Sequence, residues 1–150
     1  MMAMATSGDR HDIHAIKEHY CRINLIRGSD RWPVDVGRAL AFLNGHLFDF
    51  GLSVHYLRSQ CRIHQNNFSM KFRYFTGVSP SEYVRNHRIG CSVTIMEAMN
   101  DPVSVTWLAY EVGYEHPSTF CMAFKKATGM TPQKYRAELK NKKNSFQKIR

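Results

Sequence analysis

The chain has 150 residues, of which 43% are hydrophobic and 22% charged, and this composition is typical of a folded globular protein rather than a disordered one. No apolar run approaches the ~18 residues that a membrane-spanning helix needs, and the first residues do not follow the pattern of a secretion signal. The 21 Lys and Arg outnumber the 12 Asp and Glu, which suits a polyanionic partner. Most of the excess lies in residues 134–150, where a solvated chain end explains it equally well.

Two helices are predicted ahead of residue 50. The first covers Asp9–Arg27, and the second covers Val36–Phe48. The first helix carries a short apolar seam that either docks on the rest of the domain or pairs two chains, and docking is favoured because so short a seam is weak alone. The seam consists of Ile13, Ile16, Tyr20 and Ile23.

Cysteines and histidines in this chain do not form a ligand pattern. Cys21, Cys61, Cys91 and Cys121 contain no C-x-x-C pair, so a reduced cytoplasmic protein is expected. His11 and His14 could share one helix face, but no second pair with ligand spacing accompanies them. We therefore expect no metal and no cofactor. The chain also lacks a Gly-rich phosphate loop and a nucleophile elbow, so enzymatic activity and catalytic residues are not predicted.

An internal repeat organises the rest of the sequence. FSMKFRYFTGVSPSEY (Phe68–Tyr83) matches FCMAFKKATGMTPQKY (Phe120–Tyr135) at an offset of 52 residues. SVHYL, which begins at Ser53, matches SVTWL, which begins at Ser104, at an offset of 51. The second copy therefore holds one extra residue, which a turn accommodates most easily.

Each copy predicts a helix, a turn and a second helix, here called the first unit (residues 53–76) and the second unit (residues 104–128). Ser53 and Ser104 are suited to cap the first helix of each unit. Turns are expected near 62–65 and 113–117. The second helix of each unit carries an aromatic stripe that is expected to face the core. The stripe residues are Phe68, Phe72 and Phe75 in the first unit, and Phe120 and Phe124 with Ala127 in the second.

The same exit follows both units. Gly77 and Gly129 supply the left-handed conformation that ends a helix. Ser79 or Thr131 then caps a new helix, with Pro at its first position, where the missing N–H costs nothing. Tyr83 and Tyr135 lie one turn further on and are expected to fold back onto the aromatic stripe.

The helix that leaves the first unit is long and connects the two units. It is predicted over Pro80–Met99, so it measures about 30 Å at a rise of 1.5 Å per residue. One turn of B-DNA spans about 34–36 Å, so two second helices held at this separation could enter successive major grooves.

The predicted fold is all-α, with two helix-turn-helix subdomains joined by a long linker helix and an extra N-terminal helix. The expected organisation is an N-terminal extension (1–32), a double helix-turn-helix domain (33–137, with its linker helix at 80–99) and a basic tail (138–150).

Both copies resemble the half-motifs of the AraC/XylS family of bacterial transcription regulators. The residues that carry the resemblance in the second copy are Leu108, Ala109, Gly113, Tyr114, Phe120, Phe124, Lys125, Gly129, Thr131, Pro132, Tyr135 and Arg136. The resemblance covers roughly 34–136 and implies a seven-helix domain that binds double-stranded DNA. With only residues 1–33 ahead of it, the chain is similar to the small stand-alone regulators of the family, and the alternative is a fragment of a longer regulator with a sensor domain.

Candidate DNA contacts are the residues that the aromatic stripes leave facing outward. The base-facing candidates are Gln65, Asn66, Ser69 and Met70 in the first unit, and Pro117, Ser118, Cys121 and Met122 in the second. The candidates for phosphate contact, each of which could instead be a packing or solvated residue, are Arg73, Arg85, Arg88, Lys125, Lys126 and Arg136.

The pattern departs from the family at two equivalent positions. Met70 and Met122 stand where many family members carry an Arg used on DNA, and Met cannot donate a hydrogen bond to guanine. Two hypotheses follow, a sequence-specific transcription regulator and a weakly specific architectural DNA-binding protein. We expect a bacterial, nucleoid-associated protein without a membrane partner that binds DNA as a monomer, with RNA polymerase as a further candidate partner. Dimerisation through the N-terminal helix is the alternative.

Overall fold

A computed structural model describes residues 7–99 and 101–147, except for the side chains of 7–11 and 147. The predicted features at His11 and at 148–150 therefore lie outside the described residues. The described part is all helical, without a strand, which confirms the predicted fold class. No helix in these ranges is long and apolar enough to cross a membrane. The helices are α1 (Ser7–Asn24), α2 (Val34–His46), α3 (Val54–Gln60), α4 (Phe68–Thr76), α5 (Pro80–Ala98), α6 (Val105–Glu111), α7 (Pro117–Thr128) and α8 (Pro132–Gln147).

Two hydrophobic cores form, and the linker helix α5 contributes to both. The first core gathers α2, α3 and α4 around Phe68 and Phe72, and Tyr83 of α5 belongs to it. The second core gathers α6 and α7 with the later residues of α5, such as Ile95. Because one helix is shared, neither unit can rotate freely about the linker.

Helix ends follow the sequence prediction closely. Ser53 Oγ accepts a hydrogen bond from the Tyr56 N–H, and Ser104 does the same for its own helix. Gly77 and Gly129 have φ values of 88° and 83° and end α4 and α7 in the left-handed region. These local signals place the helices because each satisfies backbone groups that a helix end leaves unpaired.

The aromatic packing at the two exits is also confirmed. Tyr83 meets Phe72 edge-on at 6.2 Å between ring centroids, and Tyr135 meets Phe124 in the same way at 5.6 Å. Two residues depart from the predicted stripes. Phe75 is only half-buried beside Trp32 at the edge of the first core, and Ala127 is exposed near the end of α7.

The turns of the two units use different residues at the same place. Gly113 adopts φ 91° in the second unit, and Arg62, its equivalent at the offset of 51, adopts φ 54° in the first. Gly reaches this region without a penalty, whereas a residue with a Cβ pays about 1–2 kcal/mol there. The first turn is therefore strained relative to the second.

Helix α1 docks on the linker helix, as the sequence favoured. Ile13 and Tyr20 are buried in the second core, and the Tyr20 hydroxyl lies 3.0 Å from Nδ1 of His87 on α5. Gly90 of α5 leaves the space that this hydroxyl fills, since a Cβ there would collide with it. The predicted seam is wrong at Ile23, which is 65% exposed in the last turn of α1.

The segment after α1 is tied to α2 and α5 by a closed set of hydrogen bonds. The Ile26 N–H donates to the Tyr83 hydroxyl at 3.2 Å, and that hydroxyl donates to Asn44 Oδ1 at 2.7 Å. Asn44 Nδ2 donates back to the Ile26 carbonyl at 3.0 Å. At the other end, Lys17 of α1 forms an ion pair of 3.0 Å with Glu111 of α6. The N-terminal extension thus contacts both units and the helix between them.

The predicted basic tail is part of a helix as far as residue 147. Helix α8 continues without interruption from Pro132 to Gln147. Its Lys143 Nζ donates to the Met99 carbonyl at 3.1 Å, next to the end of α5. A cation near a helix C-terminus can satisfy unpaired carbonyl groups, so this hydrogen bond links the exposed last turns of α8 to the end of α5.

Exchanging the residue types of the two turns should have opposite effects on stability. Arg62→Gly is expected to raise the free energy of unfolding by about 0.5–1 kcal/mol, because it relieves a left-handed strain. Gly113→Ala is expected to lower it by at least about 2 kcal/mol, because the new Cβ would lie 2.8 Å from the Phe48 carbonyl oxygen. Urea denaturation of both variants measures the difference, and two shifts of the same sign would contradict the assignment.

Stability should also depend on the protonation of His87. Burial lowers the pKa of His87 below its usual value of about 6.5. The unfolded chain therefore binds a proton that the folded chain does not as pH falls below about 6.5, so folding weakens there. His87→Gln should reduce the loss in denaturation midpoint between pH 7.5 and pH 5.5, whereas the exposed control His55→Gln should retain it.

Candidate nucleic-acid interface

The outward face of the first unit is formed by the end of its turn and by helix α4. Met70 is exposed on α4, and Ser69 is half-buried beside it. Gln65 and Asn66 are exposed too, but they lie in the turn ahead of α4 rather than on the helix as predicted. Tyr74, one helical turn beyond Met70, is exposed on α4 and was missed by the sequence analysis. Its spacing of four residues from Met70 was the available signal.

Two arginines hold the turn that carries Gln65 and Asn66. Arg58 donates to the Gln65 carbonyl at 3.0 Å and to the Ile63 carbonyl at 3.3 Å. Arg38 of α2 donates to the Cys61 carbonyl at 3.0 Å. These bonds fix the turn in a unit whose own backbone is strained at the start of the turn.

The second unit presents its candidates from the start of helix α7. Pro117 is the first residue of α7 and is half-buried. Ser118 and Met122 are exposed one turn apart, and Cys121 is half-buried between them. The structure therefore brings all four predicted residues onto the first two turns of one helix, and Phe120 and Phe124 anchor its opposite side.

Cations surround these faces unequally. In the first unit, Arg73 Nη1 lies 3.7 Å from Glu82 Oε2, so a carboxylate shares its charge. Glu82 is fixed because it accepts a hydrogen bond from the Ser79 N–H at 2.8 Å, and this bond lowers the pKa of Glu82. The second unit has exposed Lys125 and Lys126, and Lys134 occupies the position equivalent to Glu82. Among the described residues, Lys125 and Lys126 at the end of α7 therefore form no ion pair, whereas the charge of Arg73 on α4 is partly offset.

Two more phosphate candidates lie on the helices that leave the units. Arg85 is exposed on α5. Arg136 is half-buried on α8, and its Nη1 donates to the Val103 carbonyl at 2.6 Å. Arg136 therefore also ties α8 to the segment ahead of α6.

Arg88 is not a surface cation, and the prediction that it contacts phosphate is corrected. It is 7% exposed, and its guanidinium donates to three backbone carbonyls. Nε reaches the Leu47 carbonyl at 2.8 Å, and Nη2 reaches the Asp49 carbonyl at 2.7 Å. Nη1 reaches the Gly113 carbonyl at 2.9 Å in the turn of the second unit. Burial lowers the pKa of Arg88, but an arginine keeps its charge in proteins.

An open cleft of about 240 Å³ separates the two units above Arg88. Its walls are mostly apolar and include Val54 of α3, Val84 of α5 and Ala123 of α7. Arg85 lies at the cleft as well. Helices α3 and α7 therefore face each other across α5, and Arg88 also lines the cleft.

The fold is that of a double helix-turn-helix protein, and comparison with known families agrees. A family model described as a helix-turn-helix domain matches residues 57–138, more than half of the chain. The chain belongs to the AraC-type family of helix-turn-helix transcription regulators, which confirms the resemblance seen in the sequence.

Relatives with similar sequences are longer proteins. An uncharacterized HTH-type transcriptional regulator, YobQ of Bacillus subtilis, is 29% identical over 101 residues, covering 67% of this chain and 41% of the relative. The arabinose operon regulatory protein of Escherichia coli is 25% identical over 125 residues, covering 82% of this chain and 42% of the relative. The chain thus spans less than half the length of these curated relatives.

Solved structures share the fold. The C-terminal domain of AraT, a response regulator from Geobacillus stearothermophilus, superposes with a TM-score of 0.64 at 23% identity, covering 73% of this chain and 88% of that domain. The DNA-binding domain of AdpA, solved in complex with a target DNA, superposes with a TM-score of 0.62 at 21% identity, covering 72% of this chain and 95% of that domain.

Substituting two arginines of α5 in turn should distinguish a cation that stabilises the fold from one that only adds surface charge. Arg88→Met is expected to lower the free energy of unfolding by about 3 kcal/mol or more, because it leaves three carbonyl groups without their donor. Arg85→Met removes an exposed cation three residues earlier and should change stability by less than about 0.5 kcal/mol. Urea denaturation measures both, and equal effects would contradict the assigned role of Arg88.

Proposed function

We propose that this protein is a sequence-specific DNA-binding transcription regulator that inserts α4 and α7 into successive major grooves of one duplex. The observation that carries the proposal is the pair of exposed second helices, α4 and α7, each backed by buried Phe residues and joined through α5. Helix α5 has 19 residues, so it spans about 28 Å, close to the repeat of the major groove. The DNA complex of the AdpA domain, which shares this fold, supports the choice of partner.

Base contacts are assigned to exposed positions of the two units. Asn66 offers an amide that can pair with adenine, and Ser118 offers a hydroxyl that can bond to any base. The remaining proposed base-facing residues are Gln65, Ser69, Met70, Pro117, Cys121 and Met122. Their exposure or partial exposure on α4, α7 and the preceding turn supports this assignment.

Phosphate contacts are assigned to exposed cations around the faces of both units. Lys125 and Lys126 are exposed at the end of α7, whereas the charge of Arg73 is partly offset by Glu82. Arg85 and Arg136 are proposed as further contacts. Since each neutralised phosphate releases counterions, Lys125 and Lys126 are each expected to contribute more to the salt dependence of binding than Arg73.

A weakly specific architectural protein is the second candidate. It is favoured by Met70 and Met122, whose exposed apolar side chains cannot donate to guanine. Binding would then rest on phosphate contacts and on the shape of the duplex rather than on base edges. The two candidates differ in how strongly the protein prefers particular DNA sequences.

The proposal includes a bacterial cytoplasmic location at the nucleoid and RNA polymerase as a further partner, in keeping with the transcription-regulator relatives. A monomer is proposed on DNA. The burial of Ile13 and Tyr20 of α1 against α5 supports this choice, because the same residues would otherwise be available for pairing two chains.

Selection of bound fragments from a random DNA pool, followed by competition at physiological salt, tests the proposal. A specific regulator should bind its selected site about 10³-fold or more tightly than random DNA.

Asn66→Ala should weaken binding at one half of the site and Ser118→Ala at the other. Lys125→Ala should weaken all sequences alike and reduce the salt slope by about 1.

Failure to enrich any sequence would favour the architectural candidate. Equal losses on all DNA for Asn66→Ala and Ser118→Ala would contradict their role at base edges. Ile23→Ala, which alters an exposed apolar residue on α1, provides the matched control and should leave binding unchanged.

A further inference from the structure

Two large apolar side chains are exposed at equivalent positions of the two units. Met70 is 76% exposed and Met122 is 74% exposed. They are related by the offset of 52 that also relates the buried stripes, so each lies two residues before the second Phe of its helix. Packing does not explain this placement, because the side chains point away from the cores that their neighbours fill.

The other methionines of the described chain behave differently. Met96 is buried in the second core, and Met99 and Met130 are half-buried. A thioether is normally placed where it can fill apolar space. Exposure on both second helices, at the same helical position, therefore indicates an apolar surface that each helix meets in the bound state.

Around Met70, the cations of α4 are engaged by carboxylates. Lys71 Nζ lies 2.8 Å from Asp35 Oδ2 of α2, which draws this ammonium toward the first core. Arg73 is shared with Glu82 at 3.7 Å. Of the two large exposed hydrophobic residues of α4, Met70 and Tyr74, only Met70 has an apolar equivalent in the second unit.

The major-groove edge of DNA offers one apolar group, the C5-methyl of thymine. Met is unbranched and polarizable, so it can pack on a methyl group without a fixed hydrogen-bond geometry. We propose that Met70 and Met122 each contact a thymine C5-methyl, one in each half of the DNA site. This inference rests on the proposed function and assigns the base preference of both halves.

Replacing thymine by deoxyuridine tests the contact directly, because it removes the methyl group and leaves base pairing unchanged. The duplex selected by the wild-type protein is synthesised with uracil in place of thymine in one half, in the other half, or in both. The wild-type protein should lose about fourfold in affinity for each contacted methyl, the value of one buried CH₂-sized group. Fluorescence anisotropy at fixed salt measures the loss.

The variants identify which residue makes each contact. Met70→Ala should bind thymine and uracil equally in one half while it keeps the loss in the other half, and Met122→Ala should show the reverse. Both positions are exposed, so circular dichroism should show unchanged folding. Ile23→Ala, with a similarly exposed apolar residue on α1, should retain both losses.

The possible outcomes separate this inference from the proposed function. A selected site that lacks thymine in either half, or a wild-type protein indifferent to uracil, would overturn the methyl contacts while sequence-specific binding stands. Variants that keep the full wild-type loss in both halves would overturn the roles of Met70 and Met122. A protein that enriches no sequence would overturn both proposals together.

Discussion

The arrangement of the two units depends on one buried cation. Arg88 stands on the helix that both cores share, and its three donors reach carbonyl groups of the loop after α2 and of the turn in the second unit. A charge is costly to bury unless hydrogen bonds replace its hydration, and here each nitrogen of the guanidinium has a carbonyl partner. The alternative of separating the units would leave these carbonyls unpaired. Gly113 is a consequence of the same contact, since a side chain there would occupy the space of the guanidinium.

The repeat encodes one scaffold, but the two units differ in the residues that form the turn and in the charges around the second helix. The second unit turns at a glycine, whereas the first turns at Arg62 and relies on Arg58 and Arg38 to satisfy its carbonyls. The charges diverge as well, because Glu82 stands where the second unit has Lys134. In terms of the proposed function, the cations at the end of α7, which form no ion pair among the described residues, are suited to hold the duplex, whereas the charge of Arg73 on α4 is partly offset by Glu82.

Features that depend on neighbouring residues in the chain were predictable from the sequence, and features that depend on distant residues were not. Gly77 and Gly129 end their helices because the signal for a left-handed cap lies within one turn. Arg88 was taken for a surface cation because nothing within its own helix reveals that Leu47 and Gly113 converge on it. Ile23 fits an apolar spacing, but α1 ends one residue later, so the core has no surface left for it to cover.

Helix α1 limits how far the two units can move relative to each other. Lys17 of α1 forms an ion pair with α6, and Tyr20 fills the space beside Gly90 of α5. The segment after α1 accepts a hydrogen bond from Asn44 of α2. These three contacts hold the two units at a fixed separation. Under the proposed function, the duplex rather than the protein would therefore adjust its shape for both helices to enter the major groove. Flexible pyrimidine–purine steps between the two halves of the site would then be preferred without being touched.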